Sequence, residues 1–152
     1  GKTTLVEKLI PLLTRRGLRV SLIKHAHHTF DVDQPGKDSY RHRYAGASEV
    51  MVTSSRRWAL MHELRGEKEP SFEEQVRHFA PCDVLIVEGF KFAPIPKIEV
   101  WREEPGEPLL HPNDPYIVAI ATDARVEARV PVLDLNDPGA IARFVLAHLE
   151  LA

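Results

Sequence analysis

Asp83-Val84-Leu85-Ile86-Val87-Glu88-Gly89-Phe90, residues 83–90, is an unbroken aliphatic run between two carboxylates, followed at once by a glycine. Such a run, without the polar alternation of a half-solvated strand, reads as a strand buried on both faces of a parallel sheet. At a rise of ~3.3 Å per residue the two acids stand about 17 Å apart, at opposite ends of that strand. Ligands of open α/β sheets bind outside the carboxyl ends of the strands. Glu88 is therefore the acid placed to meet a ligand, Gly89 lets the backbone turn tightly behind it, and Asp83 reads as structural.

A matching feature opens the chain. Gly1-Lys2-Thr3-Thr4 is the closing half of the phosphate-binding pattern G-x-x-x-x-G-K-[ST]. In that loop backbone amides cradle phosphates, the lysine neutralises charge near the β and γ positions, and the next hydroxyl ligates magnesium. Lys2 and Thr3 fill those places, with Glu88 as the acid on the metal, directly or through water. A bare G-K-T recurs by chance as a surface turn, and a strand-terminal glutamate can simply cap a loop. However, a lysine at a helix N-terminus opposes the macrodipole unless an anion lies near it. The expectation is a strand and a Gly-rich turn, on the order of ten residues or more, ahead of Gly1 in the natural protein.

The remaining pattern fits an α/β fold in one domain over residues 1–152. A helix is expected over 2–16, with Pro11 kinking it and Gly17 ending it, then strands over 18–24 and 49–53 with a short helix over 38–45 between them. Ser71 and Glu74 form a capping box before another helix. Strands follow in KIEVWR, YIVAIAT and VPVLDL. A last helix is capped by Asp137, with Pro138 in its first position and Ile141, Val145 and Leu149 as its apolar stripe. The proline-rich stretch 92–115 breaks the alternation and is expected to supply antiparallel strands at an edge. The whole reads as a three-layer sandwich with a mostly parallel central sheet, lacking its first strand and the front of the phosphate loop.

Composition narrows the function. At 152 residues and 43% hydrophobic content the chain can furnish one sizeable core, and 20 basic against 22 acidic residues give a net charge of -2. That balance provides no broad electrostatic footprint for nucleic acid or an anionic membrane. No apolar run approaches the roughly 18 residues of a membrane-spanning helix, and a lone cysteine, Cys82, precludes an intramolecular disulfide. A cytoplasmic protein is the expectation.

The stretch 24–33, KHAHHTFDVD, gathers His25, His27, His28, Asp31 and Asp33 on a loop leaving a strand. Three readings stand: a transition-metal site, a switch-like loop that senses a γ-phosphate or its attacking water, and a hydrogen-bonded polar loop. Lys37, Arg41 and Arg43 could complement phosphates or form a solvated basic face. For a guanine base, Asp123 at the exit of YIVAIAT is the preferred reader, with Asp137 as rival, and N-K-x-D is absent.

Taken together, GKTTLVEKLIP, IKHAHHTFDVDQPGKDSYRHRYAGA, RRWALMHEL, LIVEGFK, IPKIEV, VAIATD and LDLNDPGAIARFV resemble the molybdopterin-guanine dinucleotide biosynthesis protein B (MobB) family over nearly the whole chain. The resemblance implies a P-loop GTP-binding adaptor that assists a molybdenum cofactor guanylyltransferase. It further implies weak GTP hydrolysis and a homodimer formed through an extended sheet, with molybdopterin itself a further candidate ligand. GTP and Mg2+ are the implied cofactors. By position, Gly1, Lys2, Thr3 and Thr4 bind phosphate, Thr3 and Glu88 hold magnesium, and His25, His27, His28 and Asp33 fall on the signature loop. Two alternatives remain. One is a small-molecule kinase with part of a lid in Arg56, Arg57 and WALMHELRG; the other is a metallochaperone GTPase built on the histidine loop.

Overall fold

The computed structural model describes residues 2–26 and 30–151, which form two compact units. The first is discontinuous, Gly1–Ile23 with Phe79–Ala152, and the second is the intervening segment Lys24–His78.

In the first unit α1 (Lys2–Thr14) leads to β1 (Val20–Lys24), whose last residue begins the second unit. After the return of the chain come β4 (Val84–Glu88), β5 (Lys97–Trp101), β6 (Ile117–Thr122), β7 (Val132–Asp134) and α4 (Pro138–His148). The second unit carries α2 (Asp38–Tyr44), β2 (Glu49–Thr53), β3 (Trp58–His62) and α3 (Phe72–Val76). β1 pairs with β4, β2 with β3, and β5, β6 and β7 lie in that order in one sheet. Among the described residues no helix is long and apolar enough to cross a membrane.

α1 turns a leucine toward the core at every fourth position, Leu5, Leu9 and Leu13, the spacing that keeps side chains on one face of a helix. The helix runs unbroken through Pro11, and Gly17 ends the following turn at φ +81°, the left-handed region that glycine adopts without strain. Leu5 and Leu9 share a core with Ala121, Leu135, Ile141 and Ala142, while Leu13 packs with Val84 and Leu146. Both clusters join α1 and α4 to the strands. The buried face of α4 is Ile141, Ala142 and Leu146; Leu149 is 42% exposed and lies past the helix end, so the expected stripe is corrected, with Ala142 and Leu146 in place of Val145 and Leu149. Asp137 caps α4 as expected, accepting from the Ala140 N–H at 3.0 Å.

The α/β class and the predominantly parallel pairing follow the sequence expectation, but one detail does not. β5 lies in the proline-rich stretch and pairs with β6 in parallel, with a register shift between Lys97 and Ile98, and β6 pairs with β7 in parallel. The antiparallel strands are instead β2 and β3, in the second unit. β5 can run parallel because the stretch between it and β6 folds back along it. The Glu99 carboxylate accepts from the N–H groups of Leu110 and His111 at 2.7 and 2.9 Å, and the Trp101 indole donates to the Glu107 carbonyl at 2.6 Å.

β3 was not expected. Ser54 turns the chain back: its N–H donates to the Arg57 carbonyl at 2.8 Å and its hydroxyl accepts from the N–H groups of Arg56 and Arg57. Trp58 then falls opposite Thr53 and Leu60 opposite Met51. The stretch suggested as part of a kinase lid is thus the turn and second strand of a hairpin.

Candidate functional site

Thr3 is the second residue of α1, and Glu88 is the last residue of β4. The Thr3 hydroxyl donates to Glu88 Oε1 at 3.2 Å across 85 residues of sequence. Glu88 is delivered there by the strand's direction, and the backbone turns away immediately, with Gly89 at φ +92° and Phe90 at φ +50°. A side chain at the first of these would be strained, as the sequence reading of Gly89 anticipates. Lys2, Thr3 and Thr4 are exposed, and the first turn of α1 contains no acidic residue. The helix start therefore carries the partial positive charge of its free N–H groups together with the lysine ammonium.

The other end of β4 bears out the structural reading of Asp83. Its carboxylate accepts from the Arg19 N–H at 2.7 Å, and its own N–H donates to the Arg19 carbonyl at 2.9 Å. Cys82 beside it is a partly buried free thiol.

Asp123, the preferred base reader, is exposed just past β6, and its carboxylate accepts from Arg102 at 3.2 Å. An exposed pair of this kind contributes little and is readily exchanged for another donor. Asp137 caps α4 through one carboxylate oxygen, the role its sequence context suggested.

The second unit contains the described part of the signature loop. His25 lies 2.8 Å from a Glu69 carboxylate oxygen. His27 and His28, like Gly1, lie outside the described residues. Asp33, its side chain 5% exposed, has both oxygens on Arg43, which at 2.8 Å also reaches Asp31 and Glu63. Arg43 is thus neither a phosphate clamp nor part of a solvated face: three carboxylates surround one guanidinium whose side chain is 10% exposed. The hydrogen bonds from Glu63 and then Asp33 raise its pKa above the ordinary arginine value, and burial opposes them only in part. Its ring neighbours are Tyr40 and Tyr44, with the guanidinium carbon 5.3 and 5.5 Å from the two centroids. For Asp31 and Asp33 the hydrogen-bonded-loop reading describes what they do.

Sequence reasoning missed this hub because its members lie 10, 12 and 20 residues from Arg43. It also missed Lys97 and Asp114, which pair at 2.8 Å in the first unit. Donation from Lys97, and then from the Tyr116 N–H, holds the Asp114 carboxyl below its usual pKa.

Comparison with known proteins gives the family. The family model for molybdopterin guanine dinucleotide synthesis protein B matches residues 1–123. The molybdopterin-guanine dinucleotide biosynthesis adapter protein of Escherichia coli is 43% identical over 99% of this chain and 87% of its own length. That of Haemophilus influenzae is 44% identical, over 95% and 81%. A crystal structure described as molybdopterin-guanine biosynthesis protein B superposes with a TM-score of 0.76 at 27% identity, covering 97% of this chain and 92% of the other.

Proposed function

Because the chain belongs to the molybdopterin guanine dinucleotide synthesis protein B family, we propose that it is a GTP-binding adapter in molybdenum cofactor biosynthesis, assisting the guanylylation of molybdopterin. The observation that carries the nucleotide half of this reading is the 3.2 Å contact between Thr3 and Glu88. It sets a hydroxyl and a carboxylate together at a helix start that already favours an anion.

Those two groups suit Mg2+, which takes one or two protein oxygens and completes its octahedron with water and substrate phosphates. Bound there, the ion would neutralise phosphate charge. The residues of the chain do the rest: Lys2 offsets the remaining charge, the free N–H groups of the first turn of α1 point at phosphate oxygens, and Glu88 orients the Thr3 hydroxyl. Asp123 reads the base once Arg102 is displaced. Slow intrinsic GTP hydrolysis and an accessory role to a guanylyltransferase are part of the proposal. A homodimer is part of the proposal; β5 and β7 both end the order β5-β6-β7, and β5 is the strand proposed to extend the sheet.

Calorimetric titration of the full-length protein with GTP and with ATP, in magnesium, tests the site. GTP should bind in preference to ATP, Lys2→Ala should abolish binding, and Glu88→Ala should weaken it in magnesium but not in its absence. Guanylyl transfer by the partner enzyme should rise on stoichiometric addition of the adapter. Unchanged transfer would remove the adapter role, and equal binding by wild type and Lys2→Ala would remove the site.

A further inference from the structure

The second unit contains a cavity of about 380 Å³ that plays no part in the site around Thr3 and Glu88. Its wall is apolar, with Val32, Val52, Ala59 and Met61, and two cations, Lys37 and Arg57, stand at its rim. Val32 and Val52 remain 63% and 46% exposed, so that part of the wall is open. The volume falls in the lower part of the range typical of small-molecule sites, about 300–1,000 Å³.

The backbone that carries both cations is held by hydrogen bonds. Arg57 closes the β2–β3 turn, where the Ser54 N–H and hydroxyl bind its backbone. Lys37 immediately precedes α2 in extended conformation, and its carbonyl accepts from the Arg41 N–H at 2.9 Å. Among the described residues neither cation has an ion-pair partner, whereas Arg43 in the same unit has three. Asp33 also lines the cavity, but both its oxygens are held by Arg43, so its charge is compensated where an anion would approach. The Gln34 amide and the Ser39 hydroxyl provide hydrogen-bonding groups beside the apolar wall.

This geometry points to a second ligand site, for a flat heterocycle bearing an anionic group. The ring lies on the aliphatic wall, with the Met61 thioether available to its face, and the acid meets Lys37 and Arg57. Deepening the proposed function, on which this choice of ring rests, the ligand is the phosphorylated pterin end of molybdopterin. Guanine carries the same 2-amino-4-oxo pyrimidine ring, so a guanine nucleotide is the chemical competitor that the test must separate.

The full-length protein is titrated with pterin-6-carboxylate, followed by its fluorescence, with 6-methylpterin and inorganic phosphate as controls and GTP as competitor. One carboxypterin should bind per chain, at least tenfold more tightly than the uncharged pterin. Lys37→Gln and Arg57→Gln should each weaken it about tenfold, the scale of one charge-assisted hydrogen bond, with circular dichroism and GTP binding unchanged. Absence of saturable binding, indifference to the double replacement, or displacement by inorganic phosphate as effective as that by the pterin would overturn the inference. So would competition by GTP that the double replacement also removes, since the cavity would then belong to the nucleotide. The two readings fail separately. GTP binding that Lys2→Ala abolishes keeps the adapter site even if the pterin does not bind, and pterin binding without GTP binding keeps this cavity and removes the other site.

Discussion

In the first unit Ala119, Ile120, Ala121 and Ile141 are fully buried, each at 0% exposure, whereas no described residue of Lys24–His78 falls in the buried class. In place of a core the second unit has Arg43 between Asp31, Asp33 and Glu63, a hairpin, and a helix packed on β2. The first unit is held by apolar area, which is tolerant of pH and salt. The second depends on the geometry of a few charges, whose value lies in fixing one arrangement rather than in net free energy. A unit of this size can thus hold its hairpin and helix together without a core of its own.

The comparison breaks most severely at β6. Ile120→Ala removes a fully buried side chain from the central strand of three and should cost about 2–5 kcal/mol in urea denaturation, with both units' probes shifting if they unfold together. Arg43→Met should act next and locally. It leaves three carboxylates facing one another, so hydrogen exchange should quicken in β2, β3 and α2 while the amides of β6 keep their protection. Arg43→Lys should not restore the wild-type pattern, because one ammonium cannot present the fork that spans three acids. A uniform increase in exchange across both units would show that the hub serves the whole chain and would erase the contrast drawn above.

A smaller effect belongs to the cap. Asp137→Ala should lower stability by about 1 kcal/mol, the usual worth of an N-cap, since the Ala140 N–H loses its acceptor. The smallest is a titration in the second unit. Hydrogen bonding to Glu49, reinforced by Glu67, raises the pKa of His62 above 6.5. A raised folded-state pKa stabilises fully below the unfolded value and is lost as pH rises through the folded one. His62 is 44% exposed, so solvent screens most of that gain. NMR titration should place its midpoint above that of a free histidine, and Glu49→Gln should lower it.

Much of the first unit was legible because its signals are local. The aliphatic run of β4, the leucine spacing of α1 and the Asp137-Pro138 start of α4 each lie within one element, and each formed where expected. The pairing of Thr3 with Glu88 was inferred from the rule for strand ends, which holds over any sequence distance. The failures share another cause. WALMH is rich in good helix formers and gives no alternation of charge, so only the turn at Ser54, which pairs it with β2, makes it a strand. Arg43 and Lys97 look like ordinary surface cations until tertiary structure delivers their acids. The stripe of α4 was misplaced because residues at 141, 145 and 149 satisfy helical spacing as well as 141, 142 and 146 do, and only the packing of α1 selects between them.

Arg19 and Asp83 hold each other through two hydrogen bonds, so the first unit's two segments meet at a clasp although the whole second unit separates them in sequence. Synthesis on the ribosome proceeds in one direction. Residues 24–78 emerge as one continuous stretch and can close their own contacts, whereas Leu5 and Leu9 must wait for Ala121 and Ile141 before their core exists. The order of maturation is then the reverse of the order of solidity. The loosely packed insert is complete while α1, with its three leucines, is still unsheltered, and for that interval the nascent chain is most exposed to aggregation and most in need of a chaperone's cover.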